Sequence, residues 1–165
     1  MAGGCAMKFR HELRYDAAPD EVFAMLREAV FREQVCEALH ATECTAEIDG
    51  LDDTMSVLVD QKRPSDGIPS FAKKFVGDTI HIRQREEWSS ATNAILDVTI
   101  PGKPGHMKGT VTLRPDGDGT LETVEGDLKV SIPLVGAKIE GLVAELFEHA
   151  LQTEQRLGTK WLANR

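Results

Sequence analysis

The chain has 165 residues, which fits one domain with an adequate apolar core. Its 19 Lys and Arg against 27 Asp and Glu give a formal net charge of -8, which argues against a general nucleic-acid or anionic-membrane binder. The three cysteines, Cys5, Cys36 and Cys44, are odd in number and lack metal-ligand spacing. We therefore expect no disulfide framework and a reducing cytoplasmic environment.

The first residues have neither the basic region nor the apolar stretch of a secretory signal. We expect residues 1–7 to be a flexible leader and residues 8–165 to be a single domain. No run in the sequence approaches the ~20 apolar residues of a membrane span. We therefore expect no integral membrane segment.

The first elements are predicted from two different periodicities. Residues 8–15 alternate between apolar and charged side chains, which indicates a half-buried strand. Pro19, Asp20 and Glu21 suit the first turn of a helix, and a second short helix is predicted to run to about Leu39. The apolar stripe of the first helix is expected to contain Val22, Phe23, Leu26, Val30 and Phe31, and that of the second Val35, Cys36 and Leu39.

Only strands are predicted between residue 44 and Pro133, because alternating segments follow one another with turn residues between them. These strands fall near residues 44–48, 55–61, 80–88, 94–100, 107–113 and 120–132. Asp116-Gly117-Asp118-Gly119 is a strong hairpin signal. The segment from Arg63 to Gly77 is predicted to be an irregular loop with one short amphipathic turn of helix.

The longest helical signal runs from Leu134 to Trp161. Its apolar residues fall on one broad arc at about 100° per residue, while charged and amide side chains occupy the opposite face. Such a helix needs a large apolar partner surface, and the preceding strands can supply it as a curved sheet. The predicted order is one strand, two helices, six strands and the long helix.

Several short motifs accompany this order of elements: Ala18-Pro19-Asp20-Glu21-Val22-Phe23 after the first strand, and a terminal amphipathic helix ending Trp161-Leu162. Together they resemble the START-like, helix-grip (SRPBCC) superfamily of polyketide cyclases, pollen-allergen-like proteins and lipid-transfer domains. Met7-Lys8-Phe9, Ile132-Pro133-Leu134-Val135-Gly136 and Ile139-Glu140 more specifically resemble an actinobacterial family of unknown function within it.

The resemblance implies an α+β helix-grip fold. In this fold a seven-stranded antiparallel sheet wraps around a long C-terminal helix, two short helices follow strand 1, and a cavity lies between the sheet and the long helix. The motifs are structural, and the resemblance implies no particular ligand.

Polar residues on the inward parity of the strands are the candidate ligand-binding residues, because burying them is costly unless they are partnered. This rule selects His11, Gln61, Gln84 and Glu86, and on the helix arc Glu154. Each also has an ordinary structural interpretation, as a satisfied core residue or as a position where the element leaves the core. The expected apolar lining consists of Phe71, Phe75, Leu96, Val98, Met107, Val111, Leu146, Phe147 and Ala150.

Glu86 and His11 are the candidate pair for catalysis, because a carboxyl group in an apolar pocket can have a raised pKa and act as a general acid or base. No spacing in the sequence shows that they meet. His40, His81, His106 and His149 form no metal pattern, and no glycine-rich loop joins a strand to a helix. We expect neither metal nor cofactor.

The loop from Arg63 to Gly77 resembles in position the gating loop of lipid-binding superfamily members. Ile68, Phe71, Phe75 and Val76 can cover a pocket mouth, with Lys73 and Lys74 outside for an anionic headgroup or a transient membrane contact. The alternative is an ordinary connection held in place by its aromatic residues.

Our leading hypothesis is a non-enzymatic protein, a monomer or weak dimer, that encloses a small hydrophobic or amphipathic molecule such as a lipid or a polyketide-like compound. The first alternative is a cyclase, dehydratase or hydrolase that uses Glu86 and His11. The second is a protein interaction module, which predicts an exposed apolar patch and no enclosed cavity.

Overall fold

The computed structural model describes residues 6–165, so most of the predicted leader, including Cys5, lies outside the described residues. The strands and helices follow one another in the predicted order, and the predicted turn of helix lies in the loop between the third and fourth strands. In chain order the elements are β1 (Met7–Tyr15), α1 (Pro19–Leu26), α2 (Ala29–Ala38), β2 (Glu43–Asp49), β3 (Met55–Pro64), α3 (Ser70–Val76), β4 (Thr79–Ser90), β5 (Asn93–Thr99), β6 (Gly105–Asp116), β7 (Gly119–Val130) and α4 (Gly136–Ala163).

All seven strands form one antiparallel sheet in the order β1-β7-β6-β5-β4-β3-β2. From β2 to β7 each strand pairs with the next, and β1 closes the far edge by pairing with β7. The long helix α4 packs on β1 and β7 and on the short helices α1 and α2. The α+β helix-grip fold is therefore confirmed. None of the helices within residues 6–165 is long and apolar enough to cross a membrane.

The start of α4 differs from the prediction by two residues. Leu134 has a φ of 73° and is fully exposed, and the helix begins at Gly136. Just inside the helix, the Glu140 carboxylate accepts a hydrogen bond of 2.8 Å from the backbone N–H of Val130, at the end of β7. This bond ties the N-terminal part of α4 to the sheet.

The boundary between the two short helices also differs from the prediction, which placed Val30 and Phe31 on the first helix. The extended backbone of Glu28, with a ψ of 114°, separates α1 from α2, so Val30 and Phe31 both lie on α2. Phe31 is fully buried, and its ring lies 5.5 Å from that of Trp161 on α4. Val30 is 54% exposed, because the helical periodicity restarts after the break and turns this side chain outward.

The contact between α4 and β1 is close because Gly158 has no side chain. A Cβ atom at this position would lie 2.7 Å from Cε1 of Tyr15 and 3.1 Å from the Cε atom of Met25. Tyr15 is fully buried and cannot move outward without opening the core. Gly158 therefore sets how near the second half of α4 comes to the sheet.

We expect Gly158→Ala to lower the free energy of unfolding by about 1–3 kcal/mol, because the added methyl group overpacks the Tyr15 ring. Gly141→Ala is the matched control on the same helix, where an added Cβ meets nothing within 4 Å. This variant should gain up to about 1 kcal/mol from helix propensity. Urea unfolding of both variants checks the prediction, and a stabilised Gly158→Ala variant would contradict it.

Candidate functional site

The main cavity of the protein, with a volume of about 480 Å³, lies between α4 and the inward face of β3, β4 and β5. It stays open because α4 rests on β1 and β7 and leaves part of its apolar face without a close partner. Along this face five side chains are only half-buried, namely Leu142, Val143, Leu146, Phe147 and Ala150. Opposite them the cavity is lined by Gln61, Arg63, Ile80, Ile82, Gln84, Val98 and Ile100.

Two smaller chambers share lining residues with the main cavity. A polar chamber of about 60 Å³, with room for roughly four water molecules, shares Gln61, Gln84, Phe147 and Ala150 with it. An apolar chamber of about 40 Å³ shares Phe75, Val98, Ile100, Val143 and Phe147. The interior thus offers a large apolar space with one polar end and one apolar end.

An ion pair between Arg32 on α2 and Glu86 on β4 forms one wall of the polar chamber. Both side chains are fully buried, and two parallel hydrogen bonds of 2.8 and 2.9 Å join the guanidinium to the carboxylate. Gln84 Nε2 and Trp88 Nε1 also donate to Glu86, at 2.6 and 2.8 Å. Burial opposes ionisation of Glu86, but the charge and hydrogen bonds of Arg32 outweigh the effect of burial. They hold the pKa of Glu86 below its ordinary value.

Two further carboxyl groups, Glu122 on β7 and Glu154 on α4, line the same chamber. They are 3% and 8% exposed. Burial and the nearby carboxylates raise the pKa of Glu122 well above its usual range, and burial with the charge of Glu86 raises that of Glu154 to about 7. Because Arg32 balances only one of the three negative charges, the chamber holds at least one proton at neutral pH.

Three buried oxygen atoms around this chamber have no hydrogen-bond partner among residues 6–165. They are Oε1 of Glu122, Oε1 of Gln61 and the hydroxyl oxygen of Tyr15. Burial, followed by the charges of Glu122 and Glu154, raises the pKa of Tyr15, so its hydroxyl stays protonated. The chamber walls therefore combine the Arg32–Glu86 ion pair with oxygen atoms of Glu122 and Gln61 that are free to bind a polar group.

The sequence-predicted residues are distributed over all three spaces. Glu86, Glu154, Leu96 and Val111 line the polar chamber, and Gln61 and Gln84 line both it and the main cavity. Phe75, Val98, Leu146, Phe147 and Ala150 line the main cavity, and Met107 lines the apolar chamber. Phe71 lines none of the three and packs beside Phe75, with Lys138 Nζ 4.8 Å from its ring centre.

The structure does not bring the candidate catalytic pair together. His11 lies on β1 and Glu86 on β4, with β7, β6 and β5 between their strands, and His11 lines none of the three spaces. The buried Nε2 atom of His11 has no hydrogen-bond partner among the described residues. The lowered pKa of Glu86 also suits a fixed anion better than a proton donor.

Sequence reasoning missed Arg32, Arg63 and Glu122, although each carries a signal. Arg32 stands four residues before Cys36 and seven before Leu39, on the same helical face. Glu122 shares the inward parity of Val124 and Leu128 on β7. Arg63 continues the inward row of Val57, Val59 and Gln61 on β3, where the sequence had indicated the start of a loop.

The loop after β3 covers part of the main cavity. Ser65 Oγ donates a 2.7 Å hydrogen bond to the carbonyl of Gly77, which closes the loop around α3. Ile68, Phe75 and Val76 point into the cavity lining, while Lys73 and Lys74 are exposed. These placements suit a cover for the cavity mouth, and a gating motion of this loop stays a prediction.

Comparison with known proteins gives a family and a fold. A family model described as "Protein of unknown function (DUF2505)" matches residues 10–162. An uncharacterized protein of Mycobacterium tuberculosis strain H37Rv is 27% identical over 121 residues, or 70% of each chain.

Two solved structures share the fold at low sequence identity. The Zhui aromatase/cyclase of Streptomyces sp. R1128 superposes with a TM-score of 0.60 and 13% identity, over 96% of this chain and 94% of that one. A START superfamily protein of Mycobacterium smegmatis superposes with a TM-score of 0.58 and 15% identity, over 91% and 96%. At these identities the likeness shows that the START-like fold is shared.

The buried carboxyl groups make the stability of the protein depend on pH. Since folding raises the pKa of Glu154 from 4.5 to about 7, the folded state binds protons that the unfolded state releases, and stability falls as pH rises through this window. Glu154→Gln keeps the shape of the protonated side chain and removes the charge. We expect this variant to match the original protein near pH 4.5 and to exceed its free energy of unfolding by on the order of 2 kcal/mol at pH 8.

Denaturant unfolding at a series of pH values checks this prediction. Glu148→Gln, an exposed position on the same helix, is the control and should give a difference that does not change with pH. A Glu154→Gln difference that is the same at pH 4.5 and pH 8 would show that Glu154 ionises freely in the folded state.

Proposed function

We propose that this chain, which belongs to the DUF2505 family of proteins of unknown function, binds and carries a small hydrophobic or amphipathic molecule in the main cavity. A lipid or a polyketide-like compound is the class of molecule we favour. The observation that carries the proposal is the cavity of about 480 Å³ between α4 and β3–β5, lined largely by apolar side chains. Ligand pockets commonly measure roughly 300–1,000 Å³ and combine such a lining with a few polar groups.

The state of the apolar lining supports this proposal. Leu142, Leu146 and Phe147 face the cavity and are only half-buried, although they belong to the central helix of the fold. A bound apolar molecule would remove this surface from water and add stability at about 25 cal/mol per Å².

A cytoplasmic location and a monomeric or weakly dimeric state stay predictions.

A protein interaction module is less well supported. That hypothesis expected a filled interior and an exposed apolar patch, whereas the cavity is large. In the described part of the chain the exposed large apolar side chains are dispersed over different elements, namely Met7, Val30, Leu51, Ile95 and Leu134.

A second candidate function is acid–base chemistry on the bound molecule. It is favoured by the proton that Glu122 and Glu154 hold in a chamber sharing a wall with the main cavity, next to the unpartnered Tyr15 hydroxyl. Zhui, which shares the fold, is described as an aromatase/cyclase. On this view Glu154, and not the Glu86–His11 pair, would exchange a proton with the substrate.

We expect N-phenyl-1-naphthylamine, a neutral fluorescent probe, to bind the protein with micromolar affinity. Ala150→Trp, which places an indole in the cavity, should weaken this binding at least about tenfold. Ala137→Trp, on the exposed side of the same helix, is the control and should leave the affinity unchanged. Absence of probe binding, or equal binding by Ala150→Trp, would contradict a ligand-binding cavity, provided that circular dichroism shows both variants folded.

Native mass spectrometry of the purified protein separates the two candidate functions. A compound that is released on denaturation, rebinds and is recovered unchanged supports a carrier. A compound that the original protein converts to a product of different mass, and that Glu154→Gln leaves unconverted, supports the catalytic candidate.

A further inference from the structure

Arg63 is the one Lys or Arg side chain that lines the main cavity in the described part of the chain. It is the last inward residue of β3, after Val59 and Gln61, and it pairs with Ile80 of β4. Pro64 follows it directly, so the guanidinium lies beside the loop that covers the cavity mouth. A cation thus stands at one end of an otherwise largely apolar space.

This guanidinium has no ion-pair partner within residues 6–165. The side chain is half-buried, its Nε atom is buried without a hydrogen-bond partner, and it makes no ion pair with any carboxylate of residues 6–165. Its counterpart in the interior, Arg32, has all of its charge compensated by Glu86. Partial burial of a charge without a partner is costly, and here it lowers the pKa of Arg63.

The groups around Arg63 leave its charge available. His40, Asp66 and His149 line the same cavity, and Asp66 is the one formally negative residue of this set. Asp66 forms no ion pair with Arg63. The nearby thiol of Cys36 stays neutral because burial raises its pKa.

The polar chamber, which adjoins the main cavity at Gln61, has the reverse polarity. Glu86, Glu122 and Glu154 face a single cation, Arg32. The polar chamber is therefore negatively charged whenever two or more of these three carboxyl groups are ionised. Gln61 lines both this chamber and the main cavity and lies next to Arg63 in the inward row. A negatively charged group would therefore be repelled from the chamber and attracted to Arg63.

We propose that the molecule bound in the main cavity is an amphipathic carboxylic acid, whose carboxylate is held by the guanidinium of Arg63 while its apolar part lies along α4. The inference rests on the proposed binding function and adds the class of ligand and its orientation. A guanidinium suits this role because its planar fork matches a carboxylate with two parallel hydrogen bonds. The surrounding apolar walls exclude water and strengthen the pair.

The test uses two competitors that differ only in the polar head, decanoate and 1-decanol, both below their aggregation limits at pH 7.5. Each displaces N-phenyl-1-naphthylamine from the full chain. We expect decanoate to bind the original protein at least about tenfold more tightly than decanol, since a hydrogen bond to a charged group changes affinity by roughly that factor or more. Arg63→Met should abolish this preference, so that decanoate and decanol bind the variant with affinities within about twofold of each other.

Two further variants separate a specific contact from a general effect of charge. Arg63→Lys should retain part of the preference, because it keeps the charge and loses the planar fork. Arg85→Met removes an exposed cation from the outer face of β4 and should leave the preference intact.

The outcomes distinguish this inference from the function on which it rests. If the neutral probe binds but decanoate binds no better than decanol, or binds equally well to Arg63→Met, the inference is overturned and the binding function stands. If Arg63→Met weakens binding of the neutral probe as much as it weakens binding of decanoate, Arg63 shapes the cavity and does not bind the carboxylate, and the inference is overturned. If the neutral probe does not bind the original protein, the binding function and this inference both fail.

Discussion

The interior of this protein depends on one buried guanidinium. Arg32 joins α2 to β4 through Glu86, and its Nε atom also donates to the carbonyl of Leu26 at the end of α1, 2.9 Å away. Breaking a buried ion pair of this kind from one side typically costs about 3–5 kcal/mol, because the remaining charge is left without compensation. Here the loss of Arg32 would leave three buried carboxyl groups facing one another. The position of α2, and with it one wall of the polar chamber, follows from this contact.

The second constraint is the way α4 rests on the sheet. Gly158 lets the C-terminal half of the helix approach Tyr15 closely, and Glu140 ties the N-terminal part of the helix to β7. Between these two points the apolar face of α4 spans the sheet without filling the space below it. The sequence holds only 6 Phe, 2 Trp and 1 Tyr, and two of these rings, Phe31 and Trp161, pack against each other away from the cavity. Large side chains are thus lacking where they would close the cavity.

The interior contains polar groups of opposite charge in two places. Buried carboxyl groups line the polar chamber, and the guanidinium of Arg63, which forms no ion pair within residues 6–165, lines the largely apolar main cavity. A fully apolar ligand would leave both groups unsatisfied, whereas an amphipathic one would satisfy at least one of them. The shared START-like fold does not decide among these ligands, because function in such folds lies in the side chains of the cavity.

The sequence by itself determined the order of elements and the long helix, because hydrophobic periodicity is a local property of the chain. The single seven-stranded sheet was implied by the resemblance of the motifs to the START-like superfamily. It also placed Gln61, Gln84, Glu86 and Glu154 on inward faces, and all four line the interior. Parity, however, says only which face a side chain takes and nothing about which strands lie opposite each other across a curved sheet.

Only the tertiary structure decided which polar groups meet. It joined Arg32 to Glu86, 54 positions apart, and brought Glu122 of β7 to Glu154 of α4, while it left His11 on the far side of three strands. These contacts depend on strand order, on the curvature of the sheet and on the resting point of α4. None of these properties is encoded in a short stretch of sequence. Protonation in the polar chamber follows from them as well, since the pKa of a carboxyl group is set by burial and by the neighbours that folding gives it.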